Sequence, residues 1–204
     1  MAELNYSLEQ EWIDRGFPMV CGVDEAGRGP LCGPVVAAAV ILPTGLVIEG
    51  LNDSKKLTEK KREKLFDIIC NEAISFSIAE ASVEEINQTN ILEATLLAMR
   101  RAILSLPISA NAALIDGNIC RDFPLPAQAV IHGDALSPSI AAASILAKVT
   151  RDRQCADLHQ AYPQYGILKH KGYGTKEHME ALRTYGPSPI HRTKFIRFLE
   201  DDSQ

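Results

Sequence analysis

Val20-Cys-Gly-Val-Asp-Glu-Ala-Gly-Arg-Gly-Pro-Leu-Cys-Gly-Pro34 sets the plan of this chain. A short apolar run, Val20 to Val23, leads into two adjacent carboxylates, Asp24 and Glu25. It then breaks into a Gly-Arg-Gly-Pro turn before a second apolar run, Val35 to Leu42. That order reads as strand, charged tip, tight loop, strand. Adjacent ionised side chains repel, and a strand reaching into the core tolerates them only where something cationic neutralises them; a divalent metal does this best. Neighbouring strand residues face opposite ways, so Asp24 and Glu25 share one site only where the strand ends or twists, as Gly27 and Gly29 allow. The same glycines let backbone groups approach a sugar or phosphate, with Arg28 beside them as a fixed cation. Taken alone, the stretch fits a hairpin with a solvated acidic tip equally well.

Working outward, two more apolar runs end in the same way. Ala112 to Ile115 stops at Asp116-Gly-Asn118, and Ala129 to His132 stops at Gly133-Asp134. Ligands gather at strand ends in open α/β sheets, and three such ends exceed what the ordinary frequency of Asp and Gly at strand exits explains. Between these runs lie helices. Leu4 to Arg15 reads as a short leading helix, and Thr58 caps one that runs to about Cys70 with Leu65, Ile68 and Ile69 inward. Ile74 to Ala79 alternates like a strand, and Ser82-Val-Glu-Glu85 has the form of a capping box. A helix from Asn90 to about Ser105 puts Leu92, Leu96, Met99 and Ile103 on one face and leaves Arg100 and Arg101 exposed. Ser137-Pro138 opens a helix to about Ala161, and its small apolar first half suits close packing on a sheet. Leu168 to Gly174 and Gly186 to Pro189 read as loops around one further helix, Lys176 to Tyr185.

At 204 residues, with 46% apolar and 23% charged side chains, the chain suits one globular α/β domain with an ordinary core. Nothing at the N-terminus resembles a signal peptide, and no apolar run is long enough to span a bilayer, so a cytoplasmic protein is expected. The five cysteines are scattered and include no Cys-x-x-Cys pair. A disulfide framework and a zinc site are therefore not indicated, and the cysteines read as reduced core residues. Net charge is −5, yet Lys148 to Arg197 holds ten Lys and Arg against four Asp and Glu. A basic stretch on an acidic protein suits an enzyme that binds a polyanion and carries a carboxylate metal site.

Asp24, Glu25, Asp116 and Asp134 give four carboxylates with no neighbouring cysteine or compact histidine pair. Oxygen-only ligation favours Mg²⁺ or Mn²⁺ over Zn²⁺. Two such ions about 4 Å apart activate a water and stabilise the leaving oxygen of a phosphodiester, without a catalytic histidine. The segment with Lys169, His170, Lys171, Tyr173, Arg192 and Lys194 would then hold a nucleic-acid backbone. Lys55 and Lys56, in the loop Asn52 to Leu57, have a phosphate-contact composition that also fits a solvated start of a helix. Asp152 reads as an intrahelical ion-pair partner in preference to an outer-sphere carboxylate. His170, His178 and His191 read as polar surface or backbone contacts, because their spacing forms no ligand set.

At this point the chain resembles type 2 ribonuclease H, the ribonuclease HII form. The resemblance rests on Val23-Asp-Glu-Ala-Gly-Arg-Gly-Pro30, Asp53-Ser-Lys-Lys-Leu57, Ile115-Asp-Gly117, His132-Gly-Asp134 with Ala141-Ala-Ala-Ser-Ile-Leu-Ala-Lys148, and His170-Lys-Gly-Tyr-Gly-Thr175. It covers about Val20 to Phe198, with the motifs in the family's order. It implies an RNase H-like fold, a central mixed sheet flanked by helices, with a basic helical element from about 163 to 204. It also implies endonucleolytic cleavage of RNA in RNA–DNA hybrids and incision 5′ of single ribonucleotides in duplex DNA, leaving 3′-hydroxyl and 5′-phosphate ends. Carried over by motif, Asp24, Glu25, Asp116 and Asp134 would hold Mg²⁺ or Mn²⁺. Gly27, Arg28 and Gly29 would read the ribose 2′-hydroxyl, and Tyr173 would stack beside the junction. Lys55, Lys56, Lys148 and Lys171 would meet phosphates, and Ser144 would shape the site. A monomer is expected. About twenty residues precede the first motif, too few for the N-terminal domain of type 3 enzymes, and Glu200 to Gln204 does not resemble a sliding-clamp-binding tail.

Overall fold

A computed structural model describes residues 4–52 and 54–201. Its strands are β1 (Val20–Ala26), β2 (Val35–Ile41), β3 (Ser75–Ala81), β4 (Ala112–Asp116) and β5 (Ala127–Val130). They form one mixed sheet in the order β3-β2-β1-β4-β5. β1 is antiparallel to β2 and parallel to β4, β3 is antiparallel to β2, and β5 is parallel to β4. Because β1 and β4 run the same way, with Val23 opposite Ile115, their C-terminal ends share one edge of the sheet. Asp24 and Asp116 follow directly in sequence and emerge there together. The apolar run Val35–Ile41 is buried throughout, as expected for a strand covered on both faces.

The helices are α1 (Ser7–Asp14), α2 (Glu59–Glu72), α3 (Val83–Gln88), α4 (Ile91–Leu104), α5 (Pro138–Ala161), α6 (Ile167–His170), α7 (Lys176–Tyr185) and α8 (Phe198–Asp201). Side-chain alternation on the strands divides the core. Cys21, Val23, Ala37, Ala39 and Ile115 pack with α4 on one face, whereas Ala38 and Val40 pack with α2 and α5 on the other. The closest approach is at Gly22, where an added Cβ would sit 2.1 Å from the Ser139 carbonyl carbon. Helix α5 therefore lies directly on β1, and only glycine fits beneath it. Its start is fixed twice: the Ser137 hydroxyl accepts from the Ile140 N–H, and buried Glu9 accepts from the Ser137 hydroxyl at 2.6 Å and the Ser139 N–H at 3.2 Å. Thr58 caps its helix and Asn90 opens its own as the sequence suggests, Thr175 caps α7, and Ser82 with Glu85 forms the full capping box. Each cap contributes about 1 kcal/mol.

Several expectations shift. Asp24 and Glu25 lie within β1, which continues to Ala26 because its ladder with β2 runs on to Ala26 opposite Val36. β5 ends at Val130, not His132. His132 adopts a left-handed backbone (φ +57°), and Asp134 sits on a short 3-10 turn, Gly133–Ala135. Ile68 is exposed, since the inward stripe of α2 is Leu65 and Ile69. Arg100 and Arg101 are each partly covered, and Arg101 is drawn onto Glu85 of α3 by a bidentate contact at 2.6 and 2.8 Å. The segment after Ile167 opens with the short helix α6, not a loop. Cys21, Cys32 and Cys155 are buried free thiols, whereas Cys70 and Cys120 are half-buried. Among the described residues no helix is long and apolar enough to cross a membrane.

Candidate active site

A cleft of about 260 Å³ opens at the shared edge of β1 and β4. Asp24, Glu25 and Asp116 line it together. Beyond Val23 the ladder between β1 and β4 has ended, which frees that edge of β1 for two successive carboxylates. Asp24 is buried, and its carboxyl is held well above the usual carboxylate range, first by burial and then by the charges of Glu25 and Asp116. The Glu25 N–H at 2.7 Å and the Ser144 hydroxyl oppose that rise. Burial also raises Glu25, against the pull of Arg28, whose Nη1 lies 3.2 Å from Glu25 Oε1. The Gly133 N–H donates to Asp116 Oδ1 at 2.7 Å, which ties the turn carrying Asp134 to the end of β4. Asp134 is itself buried, with Oδ2 3.8 Å from Nζ of Lys55 at the cleft's rim. Three carboxylates thus line the cleft from the ends of β1 and β4, Asp134 lies on the turn tied to Asp116, and all four offer hard oxygens suited to a divalent cation.

The opposite side of the cleft is backbone. Gly27 has φ +93°, a conformation that side chains resist, and an added Cβ there would meet Arg151 Nε at 2.8 Å. A Cβ on Gly29 would meet the Tyr173 ring at 3.0 Å, so the half-exposed ring comes close to a bare peptide. The Leu31 N–H donates to the Gly172 carbonyl at 2.8 Å and joins the loop 27–34 to the turn 170–175.

Behind this wall are residues whose burial the sequence did not announce. Arg192 is fully buried with its guanidinium against the loop 27–34, not on a nucleic-acid surface. His170, His178 and His191 are buried as well. The Ser188 N–H donates to His191 Nδ1 at 3.1 Å, which leaves the proton on Nε2, 3.2 Å from His178 Nε2; His178 Nδ1 in turn donates to the Tyr173 carbonyl at 3.0 Å. Burial lowers His178 and brings His191 down to about 4, so the chain of hydrogen bonds is neutral at physiological pH. Cys32 Sγ lies within 4.8 Å of the His178 and His191 ligand atoms, a proximity set by the Cys32–His191 bridge and invisible in sequence spacing. Only the reversal of direction at Gly186-Pro-Ser-Pro189 hinted that this segment turns back on the core.

The lysines divide. Lys55, Lys148 and Lys171 line the cleft. Asp53 and the Lys56 side chain lie outside the described residues, as does 202–204 of the acidic tail. Lys148 Nζ is 2.5 Å from Asp152 Oδ1, the expected intrahelical pair, but Asp152 is buried and also takes Arg62 at 3.4 Å. Arg62 donates to the carbonyls of Ser54 and Leu57 as well, so it fixes the loop carrying Lys55. Charge counting overstates the basic face: Arg151 and Arg192 are buried, Lys169 pairs with Glu177, and Arg153 pairs with Glu63.

The family model described as Ribonuclease HII matches residues 21–198. This chain belongs to the ribonuclease HII family. Curated ribonuclease HII proteins resemble it over nearly their full length. That of Acidovorax sp. (strain JS42) is 60% identical over 92% of this chain and 90% of its own, and that of Burkholderia pseudomallei (strain 668) is 58% identical over 90% and 86%. Among solved structures, the ribonuclease H2 of Pyrococcus horikoshii OT3 superposes with a TM-score of 0.74 at 29% identity, covering 90% of this chain and 97% of that one. The fold is accordingly RNase H-like, and as a ribonuclease HII the protein is an endoribonuclease acting on RNA–DNA hybrids.

Proposed function

We propose that this ribonuclease HII cleaves hybrids, and incises DNA duplexes 5′ of a lone ribonucleotide, at the carboxylate edge of the cleft. The reading rests above all on one juxtaposition: Asp24, Glu25 and Asp116 share a cleft with the Gly27–Gly29 backbone and the Tyr173 ring. Burial, then the charges of Glu25 and Asp116, raise Asp24, and a divalent cation would offset both causes. Asp24, Glu25, Asp116 and Asp134 would hold Mg²⁺ or Mn²⁺ through hard carboxylate oxygens. When bound, two such ions supply an activated water and stabilise the leaving 3′-oxygen, giving 3′-hydroxyl and 5′-phosphate ends.

The chain's own groups do the rest. Ser144 and the Glu25 N–H orient Asp24, and the Arg28 charge opposes the rise that burial imposes on Glu25. Backbone groups of Gly27, Arg28 and Gly29 come close to a sugar because no side chain intervenes, and a 2′-hydroxyl both donates and accepts where a 2′-carbon does neither. Tyr173 stacks against the adjoining nucleotide and sets its distance from the carboxylates. Lys55, Lys56, Lys148 and Lys171 contact phosphates, which add affinity without reading sequence. The same reading takes the enzyme as a cytoplasmic monomer, with each of these groups supplied by the one chain.

The test is a labelled duplex with one internal ribonucleotide, incubated with Mg²⁺ beside an all-DNA duplex and a chelator control. Incision just 5′ of the ribonucleotide, absent from both controls, is expected. Cutting of the all-DNA duplex, or incision that survives chelation, would overturn the reading.

A further inference from the structure

The loop 27–34 is held from behind by one residue far along the chain. A guanidinium has five N–H donors in one plane. In Arg192 all five are used on this loop: Nε donates to the Gly33 carbonyl at 2.9 Å, Nη1 to Arg28 at 3.0 Å and Pro30 at 2.8 Å, and Nη2 to Gly27 at 2.6 Å and Pro34 at 3.1 Å. The Arg192 N–H adds a bond to the Leu31 carbonyl, and the Gly33 N–H donates to Ile190, both at 2.8 Å. Burial and the nearby Arg151 charge bring Arg192 down to about 9, so it remains a cation at neutral pH. Arg151 supports the same loop at one further point, through Nη2 and the Cys32 carbonyl at 2.8 Å.

Peptide planarity converts this grip into a statement about donors. In a trans peptide the C=O and the following N–H point in opposite directions. Drawing the Gly27 and Arg28 carbonyls onto Arg192 therefore turns the N–H groups of Arg28 and Gly29 away from it, and both residues line the cleft. With Gly27 at φ +93° and Gly29 free of a Cβ, few other restraints oppose rotation of these two peptides. We propose that Arg192 is the positioning residue for sugar selection: without touching substrate, it fixes the peptide orientations through which the loop prefers a ribonucleotide to a deoxyribonucleotide. This rests on the proposal that Gly27–Gly29 reads the 2′-hydroxyl. Lysine cannot substitute, since an ammonium offers three donors in no fixed plane.

The experiment measures affinity by fluorescence anisotropy for two duplexes of one sequence, one with a single ribonucleotide and one all-DNA, in an Asp116→Asn background that binds without turnover. The readout is the ratio of the two affinities. Arg192→Lys is expected to lower that ratio about tenfold, the scale on which losing an orienting partner acts, while all-DNA affinity changes less than about twofold. Arg192→Ala leaves a guanidinium-sized hole, and millimolar guanidinium should restore part of the ratio. A merely structural role predicts a lower melting temperature with the ratio intact. A ratio preserved in both variants, or one that guanidinium leaves unmoved in Arg192→Ala, overturns the proposal. A wild-type ratio near one would instead refute the reading of the loop itself and the proposal with it, so the two failures are told apart.

Discussion

The acidic edge of the cleft presents side chains and the glycine edge presents backbone, and each is held in place differently. Asp24, Glu25 and Asp116 are positioned by the ends of β1 and β4, and the sheet that carries them needs no special residue to bring them together. The loop 27–34 has no strand of its own and takes its shape from Arg192, with Arg151 and the Gly172 carbonyl as lesser supports. A side chain can be moved or removed singly. A backbone edge changes only when its support does. The acidic edge should thus fail in chemistry, and the glycine edge in discrimination.

The sharpest test of that contrast removes a carboxylate. Asp24→Asn or Asp116→Asn is expected to lower kcat on a hybrid by about 10³-fold or more, the scale of losing a group that acts in the transition state. Hybrid affinity should stay within a few-fold of wild type. Full turnover in either variant would take that residue out of the reaction. On the glycine edge the loss should be smaller and selective. Tyr173→Ala, or Gly29→Ala whose Cβ would displace the ring, should slow incision at a lone ribonucleotide roughly tenfold, by the loss of one stacking contact, and affect long hybrids less. Equal losses on both substrates would erase the distinction between the edges.

Further back, His191 makes the glycine edge sensitive to acid. Its folded value, about 4, lies below the ordinary 6.5, so the unfolded chain binds a proton that the folded chain refuses. Stability from this residue is full above about pH 6.5 and is lost as pH falls toward 4, on the order of 2–3 kcal/mol. Melting curves across that window should flatten in His191→Asn; an unchanged slope would mean that the histidine chain carries no such burden. Asp24 has the opposite sign. Its folded value is raised, so without metal its contribution is present below the ordinary aspartate range and is lost as pH rises through the folded value. The smallest expected effect is therefore a melting temperature a few degrees higher for metal-free Asp24→Asn at neutral pH, with the stabilisation by added Mg²⁺ abolished. A variant that melts lower, or still responds to Mg²⁺, would contradict the assignment of Asp24.

This division also explains what the sequence makes legible. Helices α2 and α5 follow their start signals, Thr58 and Ser137-Pro138, and the carboxylates stand where apolar runs stop, because caps and strand ends are local signals. The same rule points to Asp134, which sits on a 3-10 turn that the Gly133 N–H ties to Asp116. Arg192, His178 and His191 could not be placed. A buried cation looks like a surface cation until its five carbonyl partners are known, and those partners lie some 160 residues earlier. The three histidines, thirteen or fewer residues apart in successive pairs, show no helical or ligand period, because a bridge to Cys32 brings His191 home.

The distance along the chain between Gly27 and Arg192, 165 residues, also sets an order of assembly. At about 5–20 residues per second of synthesis, the guanidinium emerges on the order of ten seconds or more after the loop it will hold. By the time α5 is complete, every strand and all four carboxylates have been made. Translation stalled just after Ala161 should leave the 27–34 segment open to protease, whereas release of the full chain should close it. On the proposed reading, the groups for cutting are laid down early in the chain's life, and the support for choosing is among the last things written.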